Sequence, residues 1–134
     1  MQLVPGPLHP ASRDLGKFLG SHTGRSLLAG SWGWFAALAA LFVFNTVLGE
    51  ELLFRGYLLP RMNSAFGRKD WLANGALFGA YHVHMPWAIP ASAINGLIFA
   101  YPSTRYRSAL IGIVVHSARS AVFLGITLSL VLNG

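Results

Sequence analysis

The chain contains no cysteine and few acidic residues. Without cysteine it can form neither a disulfide nor a thiolate metal site, and it has no thiol nucleophile. Only 4 of its 134 residues are Asp or Glu, and charged residues of both signs make up 10% of the chain. The hydrophobic fraction is 54% and the mean hydropathy is +0.52, values above those usual for a soluble domain.

Two long stretches of the sequence are almost free of charge. Residues 27–48 contain no formally charged side chain, and residues 109–132 contain only His116 and Arg119 as titratable groups. Because a helix needs about 20 apolar residues to cross the hydrocarbon core, both stretches are long enough to span it. We therefore predict a polytopic integral membrane protein, with the lipid bilayer as its surroundings.

The basic residues give a net charge of +6, but they lie in short clusters between the apolar stretches. This arrangement is typical of the loops on one side of a membrane and gives no indication of nucleic-acid binding. The clusters are Arg13 with Lys17 and Arg25, Arg61 with Arg68 and Lys69, and Arg105 with Arg107. Five crossings would put all three clusters on one face, which predicts a cytoplasmic N-terminus and an external C-terminus.

The pattern divides the chain into two parts. Residues 1–26 are rich in Pro, Gly and Ser and predict a loosely ordered cytoplasmic tail, whereas residues 27–134 form the membrane-embedded domain. The predicted helices are 27–48, 49–66, 71–85, 91–101 and 108–132. A break is expected near Gly49, because about 40 residues of straight helix would measure about 60 Å, twice the hydrocarbon thickness. The predicted fold class is an all-α transmembrane bundle of about four to five membrane helices, in which one of the two short helices is a candidate re-entrant helix.

The sequence VLGEELLFRGYLLPRM, residues 47–62, puts charged groups inside an apolar stretch. An ionisable side chain within a span costs about 2.5–3.5 kcal/mol on insertion scales and usually faces an interior cavity. Glu51 and Arg55 are four residues apart on one helix face, so they can form a neutralising pair with a purely structural role. Glu50 points about 100° away from Glu51 and has no such partner, which makes it a candidate for the working carboxylate.

Three titratable residues on different predicted helices fall at one depth. At helical rise, Glu50, His82 and His116 lie about 14 to 20 Å from the neighbouring basic clusters. His84, two residues after His82, lies near a predicted helix end and is interpreted as structural or interfacial. At mid-span, Arg119 is expected to face a cavity or a carboxylate. The shared depth predicts a polar site near the middle of the membrane.

Three segments together resemble a known family. GEELLFRG contains Glu-Glu-x-x-x-Arg, LFGAYH contains Phe-x-x-x-His with Phe78 as its first residue, and YPSTRYRSALIGIVVH ends at the third histidine. Their order and spacing over about residues 45–120 are similar to the CPBP family of intramembrane proteases. That family includes type II CAAX prenyl endopeptidases and bacteriocin-immunity or abortive-infection proteins. The resemblance implies an intramembrane peptidase of the prokaryotic plasma membrane that cuts a peptide or a prenylated protein.

The resemblance also implies a role for each residue. Glu50 would activate a water with help from His82, and His116 would stabilise the oxyanion of the tetrahedral intermediate. Arg55 would hold Glu51 and its helix in place. Where the family usually has Asn or Asp, four residues after the third histidine, this chain has Ser120. Losing one oxyanion donor typically lowers the rate by about 10²–10³, so reduced activity is one expectation.

Other interpretations of these residues remain open at this point. Glu50, His82 and His116 could together ligate Zn²⁺ with an open fourth position. Metal-free hydrolysis without a cofactor is favoured, because Glu50 cannot readily serve as both ligand and base. The chain could also be a catalytically silent family member that acts as an immunity or scaffold protein. From another class, a small proton-coupled transporter could use Glu50 as its proton carrier.

Overall fold

The computed structural model describes residues 13–133, in which helices are joined by short turns and no strand is present. The helices are α1 (Leu15–Gly20), α2 (His22–Leu28), α3 (Trp32–Phe42), a π-helical segment (Val43–Leu58), α4 (Leu59–Phe66), α5 (Asp70–Tyr81), α6 (Ile89–Tyr106) and α7 (Ala109–Asn133). A 3₁₀ turn, Gly67–Lys69, precedes α5, and a second one, Pro86–Ala88, precedes α6. The predicted all-α helical bundle is confirmed.

The bundle is polar inside and apolar outside. Arg55, Glu51 and Asn74 are its largest fully buried side chains, whereas Trp34 and Val114 are 67% and 66% exposed. A soluble protein that exposed so much contiguous apolar surface would aggregate or bind a partner. Two helical stretches are long and apolar enough to cross a membrane, Trp32–Tyr81 and Ala109–Asn133. The arrangement is that of a membrane protein around a polar interior, and the larger number of spans stays a prediction.

The predicted break near Gly49 is wrong. The backbone runs without interruption through α3, the π-helical segment and α4. A break inside the hydrocarbon would leave backbone N–H and C=O groups without partners, and a continuous helix avoids this. The wider π turn, with its i→i+5 hydrogen bonds, takes the place of the expected kink and carries both glutamates.

This continuity changes the position of the tail. Residues 1–12 of the predicted loose segment lie outside the described residues, but residues 15–28 form α1 and α2 rather than an irregular tail. Leu19 and Leu28 are buried against Val131, near the end of α7. The Gly30 amide also donates to the Val131 carbonyl. One continuous helix, rather than the two predicted helices, joins the tail to Arg61. The tail and Arg61 therefore lie at opposite ends of the bundle.

The expectation that all three basic clusters share one face is therefore wrong. Since α7 has 25 residues, about 37 Å separate its two ends. Its start follows Arg105 and Arg107, and its end contacts the tail. The prediction of a cytoplasmic N-terminus depended on the shared face and loses that support.

Helices α5 and α6 form a hairpin that begins and ends at one end of the bundle. The Thr104 hydroxyl donates to Asp70 Oδ1 at 3.1 Å, which joins the start of α5 to the end of α6. The 12 residues of α5 measure about 18 Å, too short to cross the hydrocarbon core, as expected for a re-entrant helix. Helix α6 continues past Pro102 to Tyr106, whereas the sequence predicted its end at residue 101.

Glycines allow the two helices of this hairpin to approach closely. A Cβ on Gly79 would lie 2.7 Å from the Ala93 Cβ, and one on Gly96 would lie 2.9 Å from the Gly75 carbonyl oxygen. Real side chains do not tolerate such distances, so these positions require glycine. The tight packing also offsets the cost of Pro102 inside α6, because the helix is held along its length. The end of α5, where His82 lies, is thereby fixed relative to α6.

We expect Gly79→Ala to destabilise the fold by about 1–3 kcal/mol, because the added methyl would overpack the contact with Ala93. Gly33→Ala is the matched control, since a Cβ on Gly33 meets nothing within 4 Å. It should be neutral or stabilising by about 0.5–1 kcal/mol, the usual gain from replacing helical glycine by alanine. Equilibrium unfolding of the purified chain in a mild detergent measures both. Equal stability of the two variants would contradict the tight packing of this hairpin.

Candidate active site

The π-helical segment presents the two glutamates to the interior. Glu50 is 6% exposed and Glu51 is 0% exposed. In an α-helix, residues five apart point about 140° from each other, but in a π-helix the i→i+5 hydrogen bond brings them above one another. This geometry allows Asn45 Nδ2 to donate to Glu50 Oε1 at 2.8 Å. Glu50 is thus held by an amide that lies one π turn earlier on the same helix.

Glu51 forms the predicted ion pair with Arg55. Arg55 Nη1 donates to Glu51 Oε1 at 3.0 Å, and Nη2 donates to the Gly96 carbonyl of α6 at 3.1 Å. The guanidinium also lies 4.4 Å from the centre of the Phe78 ring, a cation–π contact. Arg55 therefore neutralises a buried carboxylate and connects the π-helical segment to both helices of the hairpin.

His116 on α7 lies between the two carboxylates. Its Nδ1 is 2.8 Å from Glu51 Oε1, and its Nε2 is 3.6 Å from Glu50 Oε2. A carboxylate only accepts hydrogen bonds, so Nδ1 carries the proton of the shorter contact. The imidazole stacks on Phe99, with ring centres 4.8 Å apart and planes 23° apart. These contacts fix the ring so that Nε2 faces Glu50.

Gly112 lets α7 come this close to Glu51. A Cβ at this position would overlap Glu51 Oε2 and would lie 3.1 Å from the Ser103 hydroxyl. Gly112 is one helical turn before His116, so its close approach also sets how far the imidazole reaches. Glu51 Oε2 itself has no hydrogen-bond partner among the described residues. A glycine is therefore required where α7 crosses the carboxylate.

His82 lies near this cluster but bonds to neither glutamate. Helix α5 ends at Tyr81, earlier than the predicted 85, so His82 is the capping residue rather than a helical one. Its Nδ1 is 2.9 Å from the Phe78 carbonyl oxygen. Its ring contacts the Phe78 ring at 5.1 Å, and Phe78 in turn contacts His116 at 6.2 Å. Phe78 is thus the side chain that the two histidines share.

The remaining candidate residues lie outside the central cluster. His84 is exposed and stacks on His82, with ring centres 6.0 Å apart. Arg119 is exposed and forms no ion pair within residues 13–133, so the expected carboxylate partner is absent there. The Ser120 hydroxyl lies 3.2 Å from Thr46 Oγ1. Only Ser120 of these three therefore connects to the π-helical segment.

The three residues considered as zinc ligands are not gathered into one ligand set in the structure. Among the described residues, no group of three or more His, Asp or Glu side chains has an arrangement that could hold a metal ion. His116 directs Nδ1 to Glu51, and His82 directs Nδ1 to a backbone carbonyl, so Nε2 is the nitrogen that each ring could offer to a metal. No ion-pair contact joins His82 to Glu50 within that part of the chain. Metal use by these residues stays a prediction.

Sequence reasoning missed three residues of the site. Asn45 could be found only if the π-helical register were known, because an α-helical register puts it on another face. Thr46 is buried and contacts Ser120, a pairing across 74 positions that no local pattern indicates. Gly112 is four residues before His116, and a small residue one turn from a buried histidine is the signal that was available.

We expect Arg55→Leu to destabilise the fold by about 3–5 kcal/mol, because it would leave the buried Glu51 carboxylate without its cation. Arg61→Leu is the matched control: Arg61 is exposed, donates to the Tyr57 carbonyl and should change stability by less than about 1 kcal/mol. Unfolding of both variants in detergent is the measurement. An Arg55→Leu protein as stable as the wild type would show that the pair does not brace the site.

Comparison with known proteins identifies the family of the chain. A family model described as type II CAAX prenyl endopeptidase Rce1-like matches residues 32–122, which contain all the site residues named above. No curated protein and no solved structure matched the chain. The family match covers more than half of the chain and confirms the resemblance to the CPBP proteases. The protein therefore belongs to the Rce1-like family of type II CAAX prenyl endopeptidases, integral membrane proteases that act on peptide or prenylated protein substrates.

Proposed function

We propose that the chain is an intramembrane endopeptidase in which Glu50 activates the attacking water and His116 stabilises the oxyanion. One observation is the main support for the proposal: the Nε2 atom of His116 lies 3.6 Å from Glu50 Oε2 in the interior of the bundle. That separation is just too long for a direct hydrogen bond, so an oxygen atom of a water or a substrate can bond to both groups. An acceptor for a proton and a donor for a developing charge are what amide hydrolysis needs.

The proposed reaction needs no further reactant besides water. Glu50 takes a proton from the water as its oxygen bonds to the carbonyl carbon of the scissile peptide. The carbonyl oxygen gains the negative charge and accepts a hydrogen bond from His116 Nε2. When the tetrahedral intermediate collapses, the C–N bond breaks and Glu50 returns its proton to the leaving nitrogen.

Glu51 and Arg55 orient the histidine in this scheme. The Nδ1–H bond to Glu51 Oε1 fixes the ring plane, and Arg55 fixes Glu51 through the other side of the same oxygen. When His116 is protonated, both of its ring nitrogens donate. The two carboxylates, the guanidinium and the imidazolium then carry no net charge, which lowers the cost of burying them together.

We assign His82 a supporting role on the water. A carbonyl oxygen only accepts, so the His82 contact with Phe78 puts the proton on Nδ1 and leaves the Nε2 lone pair free in the neutral ring. That lone pair can accept a second hydrogen bond from the attacking water. Its distance from the carboxylates requires a bridging water rather than direct contact.

The family also supports the substrate class and the location. A peptide or prenylated protein would enter the polar interior from the bilayer, and the prokaryotic plasma membrane is the membrane we propose. A protease uses the paired carboxylates, His82 and His116 together, whereas a proton-coupled transporter would need only Glu50. The family match and the Glu50–His116 contact therefore favour hydrolysis over transport.

We expect Glu50→Gln to lower kcat for a farnesylated peptide ending in a CAAX sequence by about 10²–10⁴, the usual contribution of a general base. The substitution keeps the shape and the Asn45 contact but removes the proton acceptor. His82→Ala should have a smaller effect, and His84→Ala, the matched control, should have none. Cleavage by the detergent-purified chain is measured by mass spectrometry, with unfolding curves to show that each variant is folded. Unchanged cleavage by Glu50→Gln would contradict the assignment.

The Ser120 side chain favours a second candidate, a catalytically silent family member. Its hydroxyl bonds to Thr46 and is shorter than the amide that the family usually has at this position. In the silent alternative, the fold serves an immunity or scaffold role, and the wild-type chain cleaves no peptide. Both candidates share the buried Glu51–Arg55–His116 cluster. They differ in whether Ser120 serves as a second oxyanion donor.

We expect Ser120→Asn to raise kcat by about tenfold or more, because the longer amide adds a donor to the oxyanion. Thr46→Val is the companion variant, since it removes the partner of Ser120 without adding a donor. A gain in Ser120→Asn from no detectable cleavage would support the silent alternative for the natural chain. No change in either variant would show that this position does not contribute to the reaction.

A further inference from the structure

Two neighbouring cavities lie at the end of the bundle away from the tail. Each has a volume of about 500 Å³, and both are lined by Asn63, Thr104 and Arg107. Because they share these walls, they form one groove between α4, the start of α5 and the end of α6. We name it the arginine groove and define it by Asn63, Arg68, Trp71, Thr104, Arg105 and Arg107.

The groove carries uncompensated positive charge. Arg68, Arg105 and Arg107 have no acidic partner within residues 13–133. The chain has four acidic residues, of which two are the buried glutamates and one, Asp14, lies in the tail at the other end. Only Asp70 is near the groove. These three exposed guanidinium groups therefore exceed the acidic charge near them and are open to an anion from outside the chain.

Asp70 cannot balance them, because one carboxylate cannot offset three guanidinium groups and its oxygens accept hydrogen bonds from other residues. It is 3% exposed. Its Oδ1 accepts from the Trp71 amide at 2.6 Å and from Thr104 Oγ1 at 3.1 Å, and its Oδ2 accepts from Asn63 Nδ2 at 3.2 Å. These bonds join three helices and make Asp70 the rigid floor of the groove. The arginines around it stay available to a ligand.

The backbone directs Arg107 and the start of α7 into the groove. Arg107 adopts a left-handed conformation, with φ of 49°, which ends α6 and turns the chain. Ser108 and Ala109, where α7 begins, line the same cavity. Backbone N–H groups at a helix start have no intrahelical acceptor and favour an anion. This contribution adds to that of the arginines.

We propose that the arginine groove binds a phosphate group, carried either by an anionic phospholipid or by a soluble phosphate compound. Arginine binds phosphate oxygens through paired, charge-assisted hydrogen bonds, and each cavity has the size of a small-ligand site. Trp71 and Tyr101 line the groove and pack edge to face, with their ring centres 5.2 Å apart. Such aromatic residues concentrate at the membrane surface. Basic pockets between membrane helices bind lipid headgroups by the same chemistry, which favours the lipid as the source.

The test measures binding by the purified chain in a neutral detergent. The probes are short-chain phosphatidylglycerol, short-chain phosphatidylcholine and inorganic phosphate, each titrated while the melting temperature is recorded. We expect phosphatidylglycerol to raise the melting temperature more than phosphatidylcholine does. Arg107→Gln and Arg68→Gln should each weaken that binding about five- to tenfold, as removal of one basic residue does near anionic lipid.

Arg61→Gln is the matched control. Arg61 belongs to the same basic end and loses the same charge, but it lies outside the groove, where it packs over Tyr57 at 3.7 Å. Binding by this variant should equal that of the wild type. Two groove variants at different turns guard against misfolding of either one, and the melting temperature without ligand reports the fold of each.

Each outcome either supports or overturns the proposed site, and the supporting outcomes identify the source of the phosphate group. Selective binding of phosphatidylglycerol that depends on Arg107 supports a lipid ligand. Equal, Arg107-dependent binding of inorganic phosphate supports a soluble phosphate compound. Failure of both anionic probes to exceed phosphatidylcholine, or equal weakening by Arg61→Gln and Arg107→Gln, would overturn the site. Because the readout is binding, these results are independent of whether Glu50 cleaves a peptide.

Discussion

The Glu51 carboxylate is the interaction on which the rest of the structure depends. It is fully buried, and its Oε1 atom receives hydrogen bonds from both Arg55 and His116. A lone carboxylate at this depth would be strongly unfavourable, so Arg55 holds it from its own helix and His116 holds it from α7. Arg55 then reaches the Gly96 carbonyl, and His116 brings α7 against the π-helical segment. One buried charge thereby fixes how the long helix, the hairpin and α7 meet.

The same constraint explains why small residues occur where helices cross. Gly112 admits α7 to the carboxylate, and Gly96 admits α6 to α5, because side chains at these positions would overlap their neighbours. The exterior needs no comparable detail, since lipid accepts any apolar side chain. Packing precision is therefore concentrated in the polar interior, where an unpaired group is costly. This is the reverse of a soluble protein, whose precision lies in its apolar core.

Arg55 also connects the two functional regions. It holds Glu51 through Nη1 and lines one of the two cavities that form the arginine groove. The groove opens at the basic end of the bundle, and the carboxylates lie deeper, on the far side of the guanidinium. The family match covers both the deeper residues and the three groove arginines. In the proposed function the polar centre performs the chemistry, and in the proposed groove the basic end binds a phosphate group.

The sequence alone determined the features that depend on short spacing. The Glu51–Arg55 pair follows from a four-residue interval, the bounds of α7 follow from its apolar length, and the common depth of Glu50 and His116 follows from helical rise. Tertiary structure decided what depends on register and on distant partners. Gly49 continues a helix because lipid does not tolerate a broken backbone, and Asn45 reaches Glu50 only in a π turn. The packing of the tail on Val131 reverses the expected topology because contacts across the whole chain, which no local pattern encodes, hold it there.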